Sequence, residues 1–174
     1  MLPVAPRPFE DEALGSWIGR LAGRYGIAVE QLDRDYELGL ARTGPLGWLQ
    51  PGPLSEHTQA RLERLARISR DTISSLVVEA KRGPTRHALY CRKCVFLNPL
   101  EVESPYWKRE CLEPEASMCR AHRVRLTALP ASKARYSVNM SKLILQVGKY
   151  ERKLRGSTRW PACIRRISEP SRTI

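Results

Sequence analysis

Tyr90-Cys91-Arg92-Lys93-Cys94, taken with Cys119-Arg120-Ala121-His122 further along, decides how this chain is read. A two-residue spacer lets both members of a Cys-x-x-Cys or Cys-x-x-His pair turn toward one ion. Three thiolates and one imidazole complete a tetrahedron around zinc and leave no position for water, so the expected site is structural rather than catalytic. Cys91, Cys94, Cys119 and His122 are therefore the predicted ligands of one structural Zn2+, with His87 the substitute donor. Arg92, Lys93 and Arg120 stand beside them in sequence and would offset the surplus negative charge. A redox dithiol is the rival reading of Cys-x-x-Cys, but that use belongs to a βαβ setting, and no such pattern surrounds it. Cys111 has no neighbour at ligand spacing and reads as a buried thiol, and Cys163 reads as free. Folding of so small a module is expected to depend on its metal. Pro105, Tyr106 and Trp107, between the ligand pairs, either cover the metal knuckle or offer a ring for base stacking.

Upstream, Leu14, Trp17, Ile18, Leu21 and Tyr25 recur at helical spacing, preceded by Glu10-Asp11-Glu12, acids suited to the positive end of a helix. Gly26 breaks this helix and Val29 opens a second. Residues 39–53 are dense in Gly and Pro and read as a loop, which Trp48 and Leu49 pin to the core. Residues 54–82 are helical again and echo the first unit. Arg20-Leu21-Ala22 through Leu32 resembles Arg64-Leu65-Ala66 through Leu76, with Val29 matching Ile73. Each copy reads as helix, tight turn, helix, with Ser69 able to cap the last helix. A helix-turn-helix DNA reader has this form, and so has a hairpin whose Leu and Ala positions merely pack. Downstream, Val138 to Arg155 carries Met140, Leu143, Ile144, Val147 and Leu154 on one stripe, and Gly156 is its expected stop. A loose basic tail follows.

Composition excludes several classes. The 174 residues are 42% hydrophobic and 28% charged, enough for a packed core. An odd count of five cysteines argues against a disulfide framework, and no apolar run is long enough for a membrane span. No secretory signal is legible at the N-terminus, so a cytoplasmic location is expected. The net charge of +12 is unevenly placed: residues 1–118 hold 16 basic and 16 acidic side chains, whereas residues 119–174 hold 14 basic ones against Glu151 and Glu169. A neutral body with a cationic end points to phosphate backbones. The candidate contacts are Arg120, Arg123, Arg125, Lys142, Lys149, Arg152, Lys153 and Arg155, with Trp48 as a partner-facing aromatic. Gly-x-x-x-x-Gly-Lys-Ser/Thr, His-Glu-x-x-His and Gly-x-Ser-x-Gly are all missing, and no enzymatic activity is expected.

Pro6-Arg7-Pro8 and Glu10-Asp11-Glu12-Ala13-Leu14-Gly15-Ser16-Trp17-Ile18-Gly19-Arg20-Leu21-Ala22 resemble the opening of the TniQ family. That opening runs as an acidic residue, Ser/Ala-Leu-x-Ser-Trp-Leu-x-Arg-Leu-Ala. Tyr90-Cys91-x-x-Cys94, Pro105-Tyr106-Trp107-Lys108-Arg109 and Cys119-x-x-His122 resemble the same family's zinc module in the same order. The resemblance covers about residues 3–130. It implies a non-catalytic adaptor of targeted DNA transposition. Such a protein joins a target selector, in CRISPR-associated elements a Cas effector with its guide RNA, to an AAA+ ATPase regulator that recruits the transposase.

The implied fold is mainly α, a helix-turn-helix-bearing N-terminal part (1–82), a zinc-finger module (83–130), then a basic helix and tail (131–174). Partners implied are the ATPase, the selector and DNA or RNA, with a homodimer left open. The competing reading is a stand-alone sequence-specific DNA-binding regulator. The sequence departs from the family pattern at Cys111, where a large aromatic is usual. It also continues with Leu129-Pro130-Ala131-Ser132 where a second Cys-x-x-Cys commonly follows. It lacks the long C-terminal region of large members, so a compact bridging form is expected.

Overall fold

The computed structural model describes residues 5–40, 44–78, 86–96, 105–113 and 115–156. Cys163 and the tail after Gly156 lie outside them. Seven α-helices and two short strands follow one another along these residues: α1 (Leu14–Arg24), α2 (Val29–Asp35), α3 (Glu56–Ala66), α4 (Arg70–Ser75), β1 (His87–Tyr90), α5 (Arg92–Phe96), β2 (Thr127–Pro130), α6 (Ala131–Arg135) and α7 (Met140–Gly156). Helix accounts for about half of the described residues, and the mainly α expectation holds. The strands pair antiparallel, His87 opposite Pro130 and Tyr90 opposite Thr127.

The amphipathic stripe of α1 forms as read: Leu14, Trp17, Ile18 and Leu21 are all buried. Its other side is equally closed, because three glycines at four-residue spacing admit close neighbours. A Cβ on Gly15 would stand 2.2 Å from the Leu49 carbonyl oxygen, and one on Gly19 2.4 Å from the Trp48 ring. Gly23 faces Ser141 at the start of α7. The Gly/Pro-rich loop thus seats its short 3-10 turn, Gly47–Leu49, directly on α1. The loop is pinned by Trp48 as the sequence indicated. The same burial, 1% exposure, corrects the reading of Trp48 as a partner contact, since its ring is inside and its Nε1–H donates to the Ser137 carbonyl. Among the described residues all three fully buried tryptophans satisfy their indole N–H: Trp17 donates to Pro6 O at 2.8 Å and Trp107 to Leu89 O at 2.8 Å.

Gly26, at φ 68°, supplies the turn between α1 and α2. Ser69 caps α4 by accepting the Thr72 amide. The echoed positions Leu21 and Leu65, Val29 and Ile73, Leu32 and Leu76 are all buried. Packing therefore accounts for the repeat by itself.

Glu10-Asp11-Glu12 does something other than face the α1 dipole, and the expectation is corrected here. Glu12 is fully buried beneath Arg20: Nη2 lies 2.7 Å from Oε2 and Nε 2.9 Å from Oε1. Ser16 Oγ donates to Oε1 at 2.7 Å and the Phe9 amide to Oε2 at 3.2 Å, so four donors surround one carboxylate. Arg20 also lies over the Phe9 ring, 4.5 Å from its centroid. Burial pushes the Glu12 carboxyl above its ordinary range; Arg20 and Ser16 pull it back only in part.

α7 closes the fold by laying Met140, Leu143 and Val147 into the core. The predicted stripe is right at these positions, while Val138 precedes the helix and Leu154, like Val138, is exposed. The stripe runs past the body it packs on, and burial stops there.

Candidate metal centre

The predicted ligand residues arrive from two tight structures. Cys91 follows β1 directly and Cys94 lies one turn later in α5, so strand-to-helix reversal turns both sulfurs the same way. Cys119 to His122 forms a knuckle between two extended segments. The Cys119 amide donates to Val124 O at 2.9 Å and the Arg123 amide to Cys119 O at 2.8 Å, with Met118 bridged to Arg125. Arg123 accepts a left-handed φ of 51° at the reversal. The β1–β2 pairing then brings the knuckle back against β1.

Sγ of Cys91, Cys94 and Cys119 and the ring nitrogen of His122 all lie within 4.8 Å of one another. His122 Nδ1 stands 3.5, 3.3 and 3.6 Å from the three sulfurs in chain order, and Cys94 Sγ stands 3.6 Å from Cys119 Sγ. Metal bonds of ~2.3 Å to sulfur and ~2.0–2.1 Å to nitrogen make tetrahedral edges of about 3.8 Å between sulfurs and about 3.5 Å from sulfur to nitrogen. The donor set thus has the size of one tetrahedral ion and could hold it. All three cysteines are buried, and His122 is half-buried.

Without a cation such a cluster resists ionisation. Burial pushes the Cys94 thiol well above its ordinary value, and neighbouring Cys119 and Cys91 push it further. Burial raises Cys119 too, against a His122 backbone N–H that favours the thiolate. A divalent ion supplies the opposing charge that makes thiolates stable there. Cys111 is buried, pushed up to about 12 by burial with Glu110 adding to it, and stays outside the cluster as the spacing indicated. His87, exposed at the start of β1, also stays outside.

The basic residues next to the ligands have partners of their own. Arg120 pairs with Glu113 at 3.1 Å and Glu110 at 3.7 Å, and Arg92 with Glu151 at 3.5 Å. By sequence Glu151 is one of two acids in a basic end. It is 14% exposed and accepts from the Tyr90 hydroxyl at 2.8 Å, one residue from Cys91, which ties α7 to the metal module. Nothing in the local sequence marks that contact, because its two ends lie far apart in the chain.

Pro105 to Arg109 covers the module and joins it to the N-terminal segment. Trp107 is buried and tilts against Tyr90 with ring centroids 5.7 Å apart, so its ring has no face for a base. The Trp107 amide donates to Ser16 Oγ at 2.8 Å, and the Ala13 amide to Trp107 O at 2.9 Å. Tyr106 stacks on Phe9, ring centroids 4.4 Å apart, and donates to Asp11 Oδ1 at 2.8 Å. Lys108 Nζ lies 2.5 Å from Asp11 Oδ2. Burial raises Asp11, but Lys108 and Tyr106 outweigh it and hold the carboxyl below its ordinary value. Arg109 reaches the carbonyls of Ser75 and Glu10.

The fold and site define a small, mainly helical protein organised around a Cys3His cluster that could bind a metal. The sequence pattern of the TniQ family matches residues 3–126, well over half of the chain, and the chain belongs to that family. No curated protein and no solved structure matches it. TniQ proteins are non-catalytic adaptors of DNA transposition, and membership gives this chain a transposition-associated adaptor role. No described helix is long and apolar enough to cross a membrane.

Proposed function

We propose that this protein is a shape-holding connector in targeted DNA transposition, linking a target selector to an AAA+ ATPase regulator that brings in the transposase. The family match over residues 3–126 is the observation that carries this reading. In its finer form the selector is a Cas effector with its guide RNA. Cys91, Cys94, Cys119 and His122 hold one structural Zn2+, which fixes the module that Pro105 to Arg109 joins to α1. Thiols clustered this closely need a reducing compartment, which supports a cytoplasmic location. Arg120, Arg123, Arg125, Lys142, Lys149, Arg152, Lys153 and Arg155 remain the proposed partner or nucleic-acid contacts.

The rival, a free-standing sequence-specific DNA regulator, rests on the helix pairs α1–α2 and α3–α4. Co-purification with the ATPase and the selector separates the two. The adaptor reading expects the chain to be retained only when both are supplied and to bridge them. Tight, sequence-selective binding of one duplex by the chain alone, with no bridging, overturns it. Metal analysis is expected to give one zinc per chain. Chelation is expected to unfold the module, and retention of native spectra in the stripped protein would refute the structural role.

A further inference from the structure

Part of the cationic end's charge is gathered on one face of one helix. α7 buries Met140, Leu143 and Val147. At 3.6 residues per turn the opposite side carries Lys142, Lys149, Arg152 and Lys153, all exposed. The single acid of α7, Glu151, is turned inward to Tyr90 and Arg92. The outer face therefore presents four cations and no carboxylate, and among the described residues none of the four is ion-paired. Arg155 and Arg120, by contrast, are engaged, Arg155 with Glu151 at 3.9 Å and Arg120 with Glu110 and Glu113.

We propose that this face of α7 binds the phosphate backbone of duplex DNA, lying across the major groove with cations on both rims. A rise of 1.5 Å per residue puts Lys142 about 10 Å from Lys149, with Arg152 and Lys153 one further turn on. The major groove is ~12 Å wide, so Lys142 meets one strand while the other three meet the second. Leu145, 57% exposed, stands between them and carries no hydrogen-bonding code, which makes the contact independent of sequence. A double helix is favoured over a single strand because the face holds no aromatic platform. Tyr150, the aromatic of α7, is partly buried against the core. The inference rests on the nucleic-acid contacts proposed above and gives four of them a ligand, while the bridging role is tested apart from it, since protein and DNA alone suffice here.

Fluorescence anisotropy with the full chain and a random-sequence 20-base-pair duplex, from 50 to 200 mM salt, reads the number of phosphates met. Four contacts contribute about −3.6 to the slope of log K against log salt, a loss of about 150-fold over that range. Substituting Lys142→Ala, Lys149→Ala, Arg152→Ala and Lys153→Ala together removes that share while leaving the helical circular dichroism intact, because all four side chains are exposed. Arg61→Ala, a cation of α3 paired with Glu37 at 2.8 Å, is expected to leave the slope within about 0.5. An unchanged slope in the fourfold variant overturns the proposal, as does a single strand of equal length binding as tightly as the duplex. Loss of DNA binding with bridging of ATPase and selector retained supports the α7 surface as a separate function. Loss of bridging in the fourfold variant with its salt slope unchanged would instead make these cations partner contacts, overturning the DNA proposal and leaving the adaptor reading standing.

Discussion

Replacing Arg20 by methionine isolates the buried carboxylate of Glu12. The thioether chain fills the space the guanidinium stem occupied, so the change is chiefly one of charge. Two of the four donors around Glu12 come from Arg20, and the carboxylate has no exposure through which water could replace them. An ion pair broken in this way costs ~3–5 kcal/mol. The loss has a ceiling set by protonation, because Glu12 escapes by taking up a proton. The carboxyl already sits above its ordinary 4.5, raised by burial. Without Arg20 its folded pKa rises further while the unfolded value stays put. Between those two values the folded state binds the extra proton, so stability falls as pH rises, at about 1.4 kcal/mol per unit. From pH 4.5 to pH 7 this amounts to at most about 3.4 kcal/mol, in agreement with the cost of the broken pair.

Urea unfolding at pH 5 and pH 7 measures both quantities. Arg20→Met is expected to destabilise by about 3 kcal/mol at pH 7 and by less than about 1 kcal/mol at pH 5. Adding Glu12→Gln should recover much of the loss at pH 7 and remove its pH dependence. A pH-independent loss would mean that Arg20 acts through packing on Phe9 rather than through Glu12.

Four other outcomes follow from the same contacts. Gly19→Ala drives a methyl into the Trp48 ring, and a cost of about 1–3 kcal/mol with a shifted tryptophan emission is expected from denaturation monitored by fluorescence. Cys119→Ser should abolish stoichiometric zinc in elemental analysis, whereas Cys111→Ala should keep one ion per chain, because Cys111 lies outside the cluster. Tyr90→Phe removes a hydroxyl bonded to Glu151 and should lower stability by about 1.5–3 kcal/mol, with faster amide exchange in α7 than in α3. Asp11, whose folded pKa lies below its unfolded value, adds stability that is present above about pH 4 and lost as pH falls through the folded value. Asp11→Asn should therefore flatten the acid limb of a Tm–pH profile, and an unchanged limb would remove Asp11 from the account.

Local pattern made part of this legible. The stripe of α1, the turn at Gly26, the cap at Ser69 and the convergence of Cys91, Cys94, Cys119 and His122 all follow from spacing over a few residues. The strands escaped because His87–Tyr90 and Thr127–Pro130 are four residues long, too short to show alternation. Trp48 was readable either as anchor or as partner contact. Only the glycine-lined side of α1, which admits its ring, decides between them. Gly15, Gly19 and Gly23 form a four-residue repeat, a signal for close helix packing that apolar periodicity does not carry. Glu12 and Glu151 looked like surface acids because burial of a carboxylate depends on donors brought from elsewhere in the chain.

The residues that carry the family pattern have a common physical character. Ser16, Trp17, Arg20 and Leu21 from the first motif are buried, as are Cys91, Cys94, Trp107 and Cys119 from the second. They meet one another, Ser16 accepting from Trp107 while donating to Glu12, so the two motifs form one structural joint. A joint of this kind sets the angle between α1 and the metal module but offers little to a partner. What distinguishes one adaptor's partners from another's must then reside in exposed side chains outside the motifs. In this chain such side chains include the four cations of α7 left unpaired among the described residues, and Tyr90 and Glu151 fasten that helix to the metal module. Shape is held by the buried motif residues, and the proposed α7 contact lies on a surface that those residues position.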